Sequence, residues 1–372
     1  MPSVIVVGGG YAGVSAVLTL ARALGSTWSV TLVDRRPEHE LQTRLPAVLS
    51  GRVAVDRAAI PFERILPPRV RFLLASVLGI DPANRLVETD AGSLQADEMV
   101  VTLGAAPDFL GIRGAAEQSL VFKSLADTQT LRTRVQSFSR PFRVVVVGAG
   151  YTGTEVAGEF AHRPDGPAAS VEMVAEATRL LQDGSERVGV IAERLLERAG
   201  VRFRLGVTVD RVTANTVHID SGDEIPADVI VWAARSTGSR ILRKAPWRLS
   251  ADGRLVTDPY LRVAGYPHVW AAGDAAAIYD YRHDHPVASS AQMAVEEGRT
   301  VGANIAAIAA GRSAREFRPV NLGEALALGG RSGVADVGGV VVIGRAAIAA
   351  KRAALVRYLV QIGGSRLAAE YA

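Results

Sequence analysis

The sequence predicts an α/β fold that contains two similar β–α–β units. Each unit begins with a short run of β-branched and other apolar residues, which is typical of a parallel strand buried on both faces. A glycine triplet in G-x-G-x-x-G spacing follows each run, and a stretch rich in small and apolar residues follows each triplet. The recurrence of the whole unit predicts two domains of the same kind.

The first unit lies at the amino terminus. A strand at residues 4–7 leads to Gly8, Gly10 and Gly13, a helix at 14–24 follows, and a second strand at 30–33 ends at Asp34. The first glycine permits a tight turn, the second lets the backbone approach a pyrophosphate, and the third allows close helix–strand packing, while the terminal acid suits a ribose hydroxyl. This order predicts a Rossmann-like dinucleotide site rather than a purely structural glycine turn. Its residues are Gly8, Gly10, Tyr11, Ala12, Gly13, Asp34 and Arg35.

The second unit repeats this plan. A strand at 143–147 leads to the triplet and a helix, and a strand at 171–174 follows. The predicted site residues are Gly148, Gly150, Tyr151, Thr152, Gly153 and Glu176. Ala175 stands where the first unit has its terminal acid, and Glu176 comes one residue later. This displaced acid does not by itself distinguish NADH from NADPH. We favour NADH because no pair of arginines lies immediately beside Glu176, while the nearby Arg179 leaves NADPH open.

Two later segments share a strand followed by a turn of small residues. The first covers residues 97–107 and contains Gly104, and the second covers 268–276 and contains Gly273 and Asp274. Gly273 permits close backbone approach, and Asp274 suits either a ribityl chain or a plain helix cap.

Composition excludes several functions. The chain of 372 residues has no cysteine, which excludes disulfides and redox thiol pairs. The net charge is only +4 and no long basic run occurs, so we expect no nucleic-acid partner. The amino terminus lacks the features of a leader, and no apolar stretch is long enough to span a bilayer. We therefore expect a cytoplasmic protein.

Together, these motifs resemble the flavoproteins that have two dinucleotide-binding domains. Over roughly residues 1–335, the chain is most similar to type II NADH:quinone oxidoreductases and to apoptosis-inducing-factor-like reductases. The resemblance implies an FAD domain at 1–112 and 243–312, interrupted by an NAD(P)H domain at 113–242, and a small C-terminal part at 313–372 on the acceptor side. It implies the cofactors FAD and NADH and a small-molecule acceptor, with a quinone as the expected one.

The resemblance also implies roles for residues outside the glycine turns. Glu155 is placed near the nicotinamide and flavin, although an acid in a first helical turn is also common without such a role. Arg44 is placed near the flavin pyrophosphate or ring edge, the alternative being a surface arginine. Gln292 matches a quinone-binding glutamine, whereas Glu296 stands where a second glutamine is expected, and an ionised carboxylate cannot donate to a quinone carbonyl. Further cofactor contacts are assigned to Val77 and Ala291. Arg235 stands where the family usually has a glycine, and it is expected either to contact NAD(P)H or to project into solvent.

The remaining features leave alternatives open. His283 and His285 lack a third ligand at suitable spacing, so we predict a surface loop and no metal. The tail beyond Gly344 predicts a partly amphipathic helix, which suits an anionic membrane surface at the inner face, the chain's own domain or a second subunit. Alternative functions are a soluble reductase of a ferredoxin-type carrier or a specialised metabolite, and a non-enzymatic flavoprotein that senses NAD(H).

Overall fold

The fold is described from a computed structural model of residues 1–372. The chain divides into two compact units: unit 1 comprises Met1–Glu40, Ala59–Ala106 and Ser236–Asn321, and unit 2 comprises Leu41–Ala58, Pro107–Arg235 and Leu322–Ala372. The helices are α1 (Tyr11–Ala23), α2 (Leu45–Leu49), α3 (Ala115–Gln118), α4 (Leu125–Gln136), α5 (Tyr151–Ala161), α6 (Glu186–Arg198), α7 (Ala291–Ala309) and α8 (Arg345–Tyr371). Short 3₁₀ helices occur at Gly25–Thr27, Gln42–Arg44, Val55–Arg57, Phe62–Arg64, Arg240–Lys244 and Gly273–Ala275.

A six-stranded sheet forms the centre of unit 1. Its spatial order is Arg262–Val263, Tyr266–Ala271, Glu98–Val101, Ser3–Val7, Ser29–Asp34 and Val70–Leu74. All neighbours are parallel except the first pair. Val6 and Val7 are completely buried, as expected for a central parallel strand with covered faces. The predicted first strand is confirmed, and α1 begins earlier than predicted because Gly10 already serves as its N-cap.

Helices α1 and α7 pack closely together in unit 1. A Cβ atom on Gly298 would lie 2.1 Å from the backbone oxygen of Ala12, and one on Gly302 would lie 2.8 Å from the Cβ of Thr19. Small residues therefore let the two helices approach at a distance that larger side chains would prevent. This contact positions the amino end of α7 in the same unit as the first glycine turn.

A five-stranded parallel sheet forms the centre of unit 2. Its order is Leu120–Val121, Val229–Trp232, Phe142–Val147, Ala169–Ala175 and Arg202–Leu205. The core on one face includes Phe142, Leu131 and Met173, which are almost completely buried. The predicted second β–α–β unit is thus present, with its glycine turn after a buried strand.

The remaining strands form small sheets and hairpins. Unit 1 contains an antiparallel sheet of Val77–Asp81, Leu86–Thr89 and Gly92–Gln95, and the pairs Glu38–Glu40 with Ala59–Pro61, Leu255–Val256 with Ala276–Ala277, and Tyr279–Asp280 with His285–Pro286. Unit 2 contains antiparallel sheets of Val209–Thr213, Thr216–Ile219 and Glu224–Pro226, and of Glu324–Ala327, Gly333–Val337 and Val340–Ile343. Two further strands, Ala105–Pro107 and Ser236–Gly238, occur where the chain passes from one unit to the other.

The predicted tail helix is present as α8. Leu359 and Ile362 are buried in unit 2, whereas Ile348 and Leu355 are half-buried. The helix is interrupted at Gly364, which has φ +79°. Among all helices, none combines the length and the apolar character needed to cross a membrane.

Candidate functional site

The first glycine turn is closely packed by backbone atoms at Gly8 and Gly13 and is open at Gly10. Gly8 has φ +105°, and a Cβ there would lie 2.3 Å from the backbone oxygen of Thr102. A Cβ on Gly13 would lie 1.8 Å from the backbone oxygen of Gly8. At Gly10, by contrast, a Cβ would meet no atom within 4 Å, and no side chain caps the helix that begins there. The turn therefore has the form of a phosphate cradle at a helix amino terminus.

Two side chains hold the middle of this turn. Asp34 accepts a hydrogen bond from the backbone N–H of Gly9 at 2.6 Å through Oδ2. The Nδ1 of His39 lies 3.0 Å from the backbone oxygen of Gly9, to which it donates. Burial lowers the pKa of His39 to about 4, so the ring is neutral at physiological pH. The ring of Tyr11 packs edge-on to that of His39 at 5.1 Å.

Sequence reasoning identified Asp34 and Tyr11 but missed His39. A single histidine in a short strand belongs to no sequence motif. Its contact with Gly9 exists only in the folded chain. The second oxygen of Asp34 accepts from the backbone N–H of Arg36 at 2.9 Å, whereas Arg35 is exposed. The contact of Asp34 with a ribose stays a prediction.

A buried glutamate joins a second predicted cofactor segment to α7. Glu297 accepts a hydrogen bond from the backbone N–H of Gly273 at 2.6 Å. Burial raises the pKa of Glu297 to about 7, although the bond from Gly273 opposes the shift. A Cβ on Gly273 would lie 3.1 Å from the Cβ of Ala12, so this turn closely approaches the start of α1. The sequence analysis selected Glu296 and missed Glu297. Which face of α7 is buried depends on how the helix packs, and the sequence does not show this.

The two residues assigned to quinone binding are one helical turn apart on α7. Gln292 is half-buried and donates from Nε2 to the backbone oxygen of Val320 at 2.6 Å. Glu296 is also half-buried and pairs with Arg299 at 3.2 Å. Their spacing places both side chains on one face of the helix. The assignment of Gln292 and Glu296 to quinone binding stays a prediction.

The second glycine turn is built in the same way as the first. Gly148 has φ +117°, and a Cβ there would lie 2.4 Å from the backbone oxygen of Ala233. A Cβ on Gly153 would lie 2.2 Å from the backbone oxygen of Gly148, while one on Gly150 would meet no atom within 4 Å. No side chain caps α5 at Gly150. The turn of unit 2 therefore has the same form of a phosphate cradle as the turn of unit 1.

Two buried acids follow on α5, each paired with a cation from a distant part of unit 2. Glu155 accepts at Oε1 from the backbone N–H of Ala327 at 2.7 Å and from the ammonium of Lys351. Glu159 pairs with Arg52 at 3.0 Å. Burial raises the pKa of Glu159, although hydrogen bonds to its carboxylate oppose the shift. Glu155 is therefore more than a surface acid at a helix start, while its predicted role near the nicotinamide stays untested.

The ends of the second cradle carry exposed residues. Tyr151 and Thr152 are exposed at the start of α5, and the Tyr151 hydroxyl donates to Glu324. Burial of the hydroxyl and the Glu324 carboxylate raise the pKa of Tyr151. Glu176 is exposed directly after the neighbouring strand. The guanidinium of Arg179 donates to backbone oxygens of its own loop, including that of Leu181 at 2.8 Å.

The other predicted cofactor residues lie at element ends and turns. Gly104 has φ +68°, and Arg44 is half-buried at the end of a 3₁₀ helix. Val77 is the first residue of a strand, and Asp274 lies within the 3₁₀ helix after the sheet of unit 1. Ala291 begins α7, and Arg235 is exposed.

The expectation that His283 and His285 lack a third candidate ligand is wrong. The sequence shows no third ligand at suitable spacing near His283 and His285, but the short hairpin brings Asp280 to them. One candidate ligand atom of each residue lies within 4.8 Å of the others. The signal was missed because Asp280 and His285 are paired across two strands.

Known proteins that resemble this chain belong to families that bind dinucleotides, as the two glycine turns predict. The family model described as pyridine nucleotide-disulphide oxidoreductase matches residues 2–298. The chain is 27% identical over 390 residues to a type II NADH:quinone oxidoreductase of Staphylococcus saprophyticus, covering 98% of this chain and 97% of the relative. It is 28% identical over 392 residues to the protein of the same name from Staphylococcus aureus, with the same coverage. The resemblance stated from the motifs is confirmed.

Solved structures show the same fold. The NDH2 of Plasmodium falciparum in complex with NADH matches with a TM-score of 0.87 at 15% identity, covering 100% of this chain and 97% of that one. The sulfide:quinone oxidoreductase of Aquifex aeolicus matches with a TM-score of 0.82 at 17% identity, covering 98% and 92%. The predicted α/β fold with two Rossmann-like domains is therefore confirmed.

Proposed function

The chain belongs to the pyridine nucleotide-disulphide oxidoreductase family, and on this premise we propose that it oxidises NADH through FAD and reduces a quinone. The observation that carries the proposal is the pair of glycine cradles, one in each unit, each packed at its first and third glycine and open at its second. Membership of the family implies FAD and NAD(P)H as cofactors. Since the chain has no cysteine, the family's thiol chemistry is excluded.

We assign FAD to the cradle of unit 1. The chemistry that FAD supplies when bound is the acceptance of two electrons from NADH and their release to an acceptor. The backbone N–H groups after Gly10 would hold the pyrophosphate, and Asp34 would accept from the ribose. Glu297 holds the backbone of Gly273, which supports a fixed position for Asp274 beside the ribityl chain. The limits 1–112 and 243–312 for this domain stay predictions.

We assign the nicotinamide nucleotide to the cradle of unit 2, with NADH preferred. Glu176 is exposed at the strand end, where a carboxylate suits a ribose diol and repels a 2′-phosphate. Arg179 is the nearby cation that would favour NADPH, yet its guanidinium already donates to four backbone oxygens. Replacing Glu176 with Gln should reduce the preference for NADH over NADPH, measured as the ratio of the two kcat/KM values.

Gln292 on α7 of unit 1 and Glu155 on α5 of unit 2 are assigned separate roles in reduction of the acceptor. Gln292 has a second amide hydrogen besides the one donated to Val320, and this hydrogen would bind a quinone carbonyl. Overall reduction of a quinone by NADH takes up one proton, for which Glu155 is our candidate relay. Oε1 of Glu155 accepts from the backbone N–H of Ala327 and from the ammonium of Lys351, and these two donors hold the carboxyl group in place.

We also propose a peripheral contact with the anionic inner face of a membrane. Val340 and Ile343 are exposed by 64% and 58%, and the exposed Arg345 follows them. An apolar edge beside a cation suits a lipid surface. Co-sedimentation with phosphatidylglycerol vesicles should fall when Val340 and Ile343 are changed to Ser. Concentration-dependent dimerisation without vesicle binding would instead assign this patch to self-association.

The central experiment is anaerobic stopped-flow spectroscopy of the purified yellow protein. Mixing with NADH should bleach the flavin, and a short-chain menaquinone or ubiquinone should then restore its absorbance at a comparable rate. A flavin that is reduced but not reoxidised by quinone would contradict the acceptor assignment and leave the two cofactor assignments standing. A protein that fails to retain FAD would contradict the proposal at its first step.

A further inference from the structure

A hairpin in unit 1 gathers three side chains that the proposed redox function does not use. Its strands are Tyr279–Asp280 and His285–Pro286, with Asp280 paired opposite His285. Asp280 is buried, whereas His283 and His285 are exposed. The rings of the two histidines stack at a centroid distance of 6.1 Å. A buried carboxylate with two accessible imidazoles is a donor set that suits zinc and related cations.

We propose that Asp280, His283 and His285 form a binding site for a divalent transition-metal cation, with Zn²⁺ as the representative ion. One candidate ligand atom of each residue lies within 4.8 Å of the others. Tetrahedral zinc with bonds of about 2.0–2.1 Å requires ligand atoms roughly 3.4 Å apart. The exposed imidazoles can make this small adjustment by side-chain rotation alone. Three protein ligands would leave a fourth position for water.

The remaining atoms of these ligands are already oriented by neighbouring groups. Oδ1 of Asp280 accepts from the backbone N–H of Arg282 at 3.0 Å, and Oδ2 accepts from Nδ1 of His283 at 2.7 Å. A cation held by Oδ2 and this ring nitrogen would replace the proton that the two atoms share. His285 Nδ1 lies 2.9 Å from the backbone oxygen of Pro286. Donation to that oxygen places the free lone pair of His285 on Nε2. Metal-binding histidines typically have such a carbonyl partner on the other ring nitrogen, because it sets the tautomer.

The hairpin lies between two segments assigned to the redox site. It follows the 3₁₀ helix Gly273–Ala275 and precedes α7, all within unit 1. A bound cation would join the two strands of the hairpin and restrict the connection between these segments. The site thus offers a means by which a metal ion acts on the flavoprotein without taking part in electron transfer.

Titration calorimetry of the tag-free, FAD-containing protein with Zn²⁺ tests the proposal. We expect one ion per chain, and the Asp280→Asn, His283→Ala and His285→Ala variants should each bind at least about tenfold more weakly, since even the outer partners of metal ligands contribute about 10–100-fold. Asp284→Asn is the matched control, because Asp284 lies on the same turn but its carboxylate accepts from the hydroxyl of Tyr279. His268→Ala controls for binding at a histidine elsewhere in unit 1.

Hydrogen exchange gives a second readout that is independent of calorimetry. Zn²⁺ should slow exchange of the backbone N–H groups of residues 279–287 in the wild type and in both controls, but not in His285→Ala. The flavin spectrum of each variant reports whether unit 1 has folded. Equal Zn²⁺ affinity of the wild type and His285→Ala, or protection confined to other segments, would overturn the proposal.

Discussion

Replacement of Glu297 with Gln should remove a pH-dependent loss of stability from the protein. The carboxyl is almost completely buried on α7 and accepts from the backbone of Gly273. Burial raises its pKa from 4.5 to about 7. At about 1.4 kcal/mol for each pH unit, this difference corresponds to ~3 kcal/mol between the folded and unfolded states.

The direction of this pH dependence follows from the number of protons that the folded and the unfolded states bind. Below pH 4.5 the carboxyl is protonated in both states, and no penalty arises. Between pH 4.5 and 7 the folded state retains the proton that the unfolded state has lost, so the free energy of unfolding falls as the pH rises. Above pH 7 the wild type carries the full cost of a buried charge. Glu297→Gln keeps an oxygen that accepts from Gly273 and carries no charge.

The assay is urea unfolding of the wild type and Glu297→Gln at intervals from pH 5 to pH 8. The difference between the two chains isolates Glu297 because His39, whose lowered pKa gives the opposite dependence, is present in both. We expect the variant to gain up to ~3 kcal/mol relative to the wild type as the pH rises over this range. Glu296→Gln, on the half-buried neighbour that pairs with Arg299, is the control for the loss of one carboxylate from α7. A stability difference for Glu297→Gln that does not change with pH, or that only matches the difference for Glu296→Gln, would refute the reasoning.

Gly13→Ala should abolish FAD retention and lower the free energy of unfolding by about 1–3 kcal/mol, because the new Cβ would overlap the backbone of Gly8. Gly10→Ala places its Cβ in open space, so this variant should keep the fold and lose only affinity for FAD. The amount of bound flavin per chain measures both effects. Lys351→Met should lower the free energy of unfolding by about 1–3 kcal/mol by leaving Glu155 without its cation. Adding Glu155→Gln to Lys351→Met should restore part of the lost free energy of unfolding. If denaturant unfolding shows that the effects of the two substitutions simply add, a direct interaction between Glu155 and Lys351 is contradicted. The wild type should lose ~3 kcal/mol of unfolding free energy through His39 as the pH falls from 6.5 to about 4, and His39→Gln should remove this loss. Acid titrations in which the wild type and the variant unfold at the same pH would disprove this prediction.

Both cradles could be predicted from the sequence because their requirements are local. A positive φ at Gly8 and at Gly148, and close approach at Gly13 and Gly153, exclude side chains within a few residues of each turn. The buried strands before them carry the β-branched runs that parallel sheets require. These constraints act on neighbouring residues, so the fold class and the two glycine turns could be predicted from the sequence alone.

The charges around the sites were decided by tertiary structure. Glu155 is bonded to residues 172 and 196 positions away, and no periodicity of α5 predicts either partner. The packing of α7 against α1 determines that Glu297 rather than Glu296 is buried. Asp280 joins the histidines through strand pairing. Protonation depends on burial and on distant partners, and these exist only once the chain has folded.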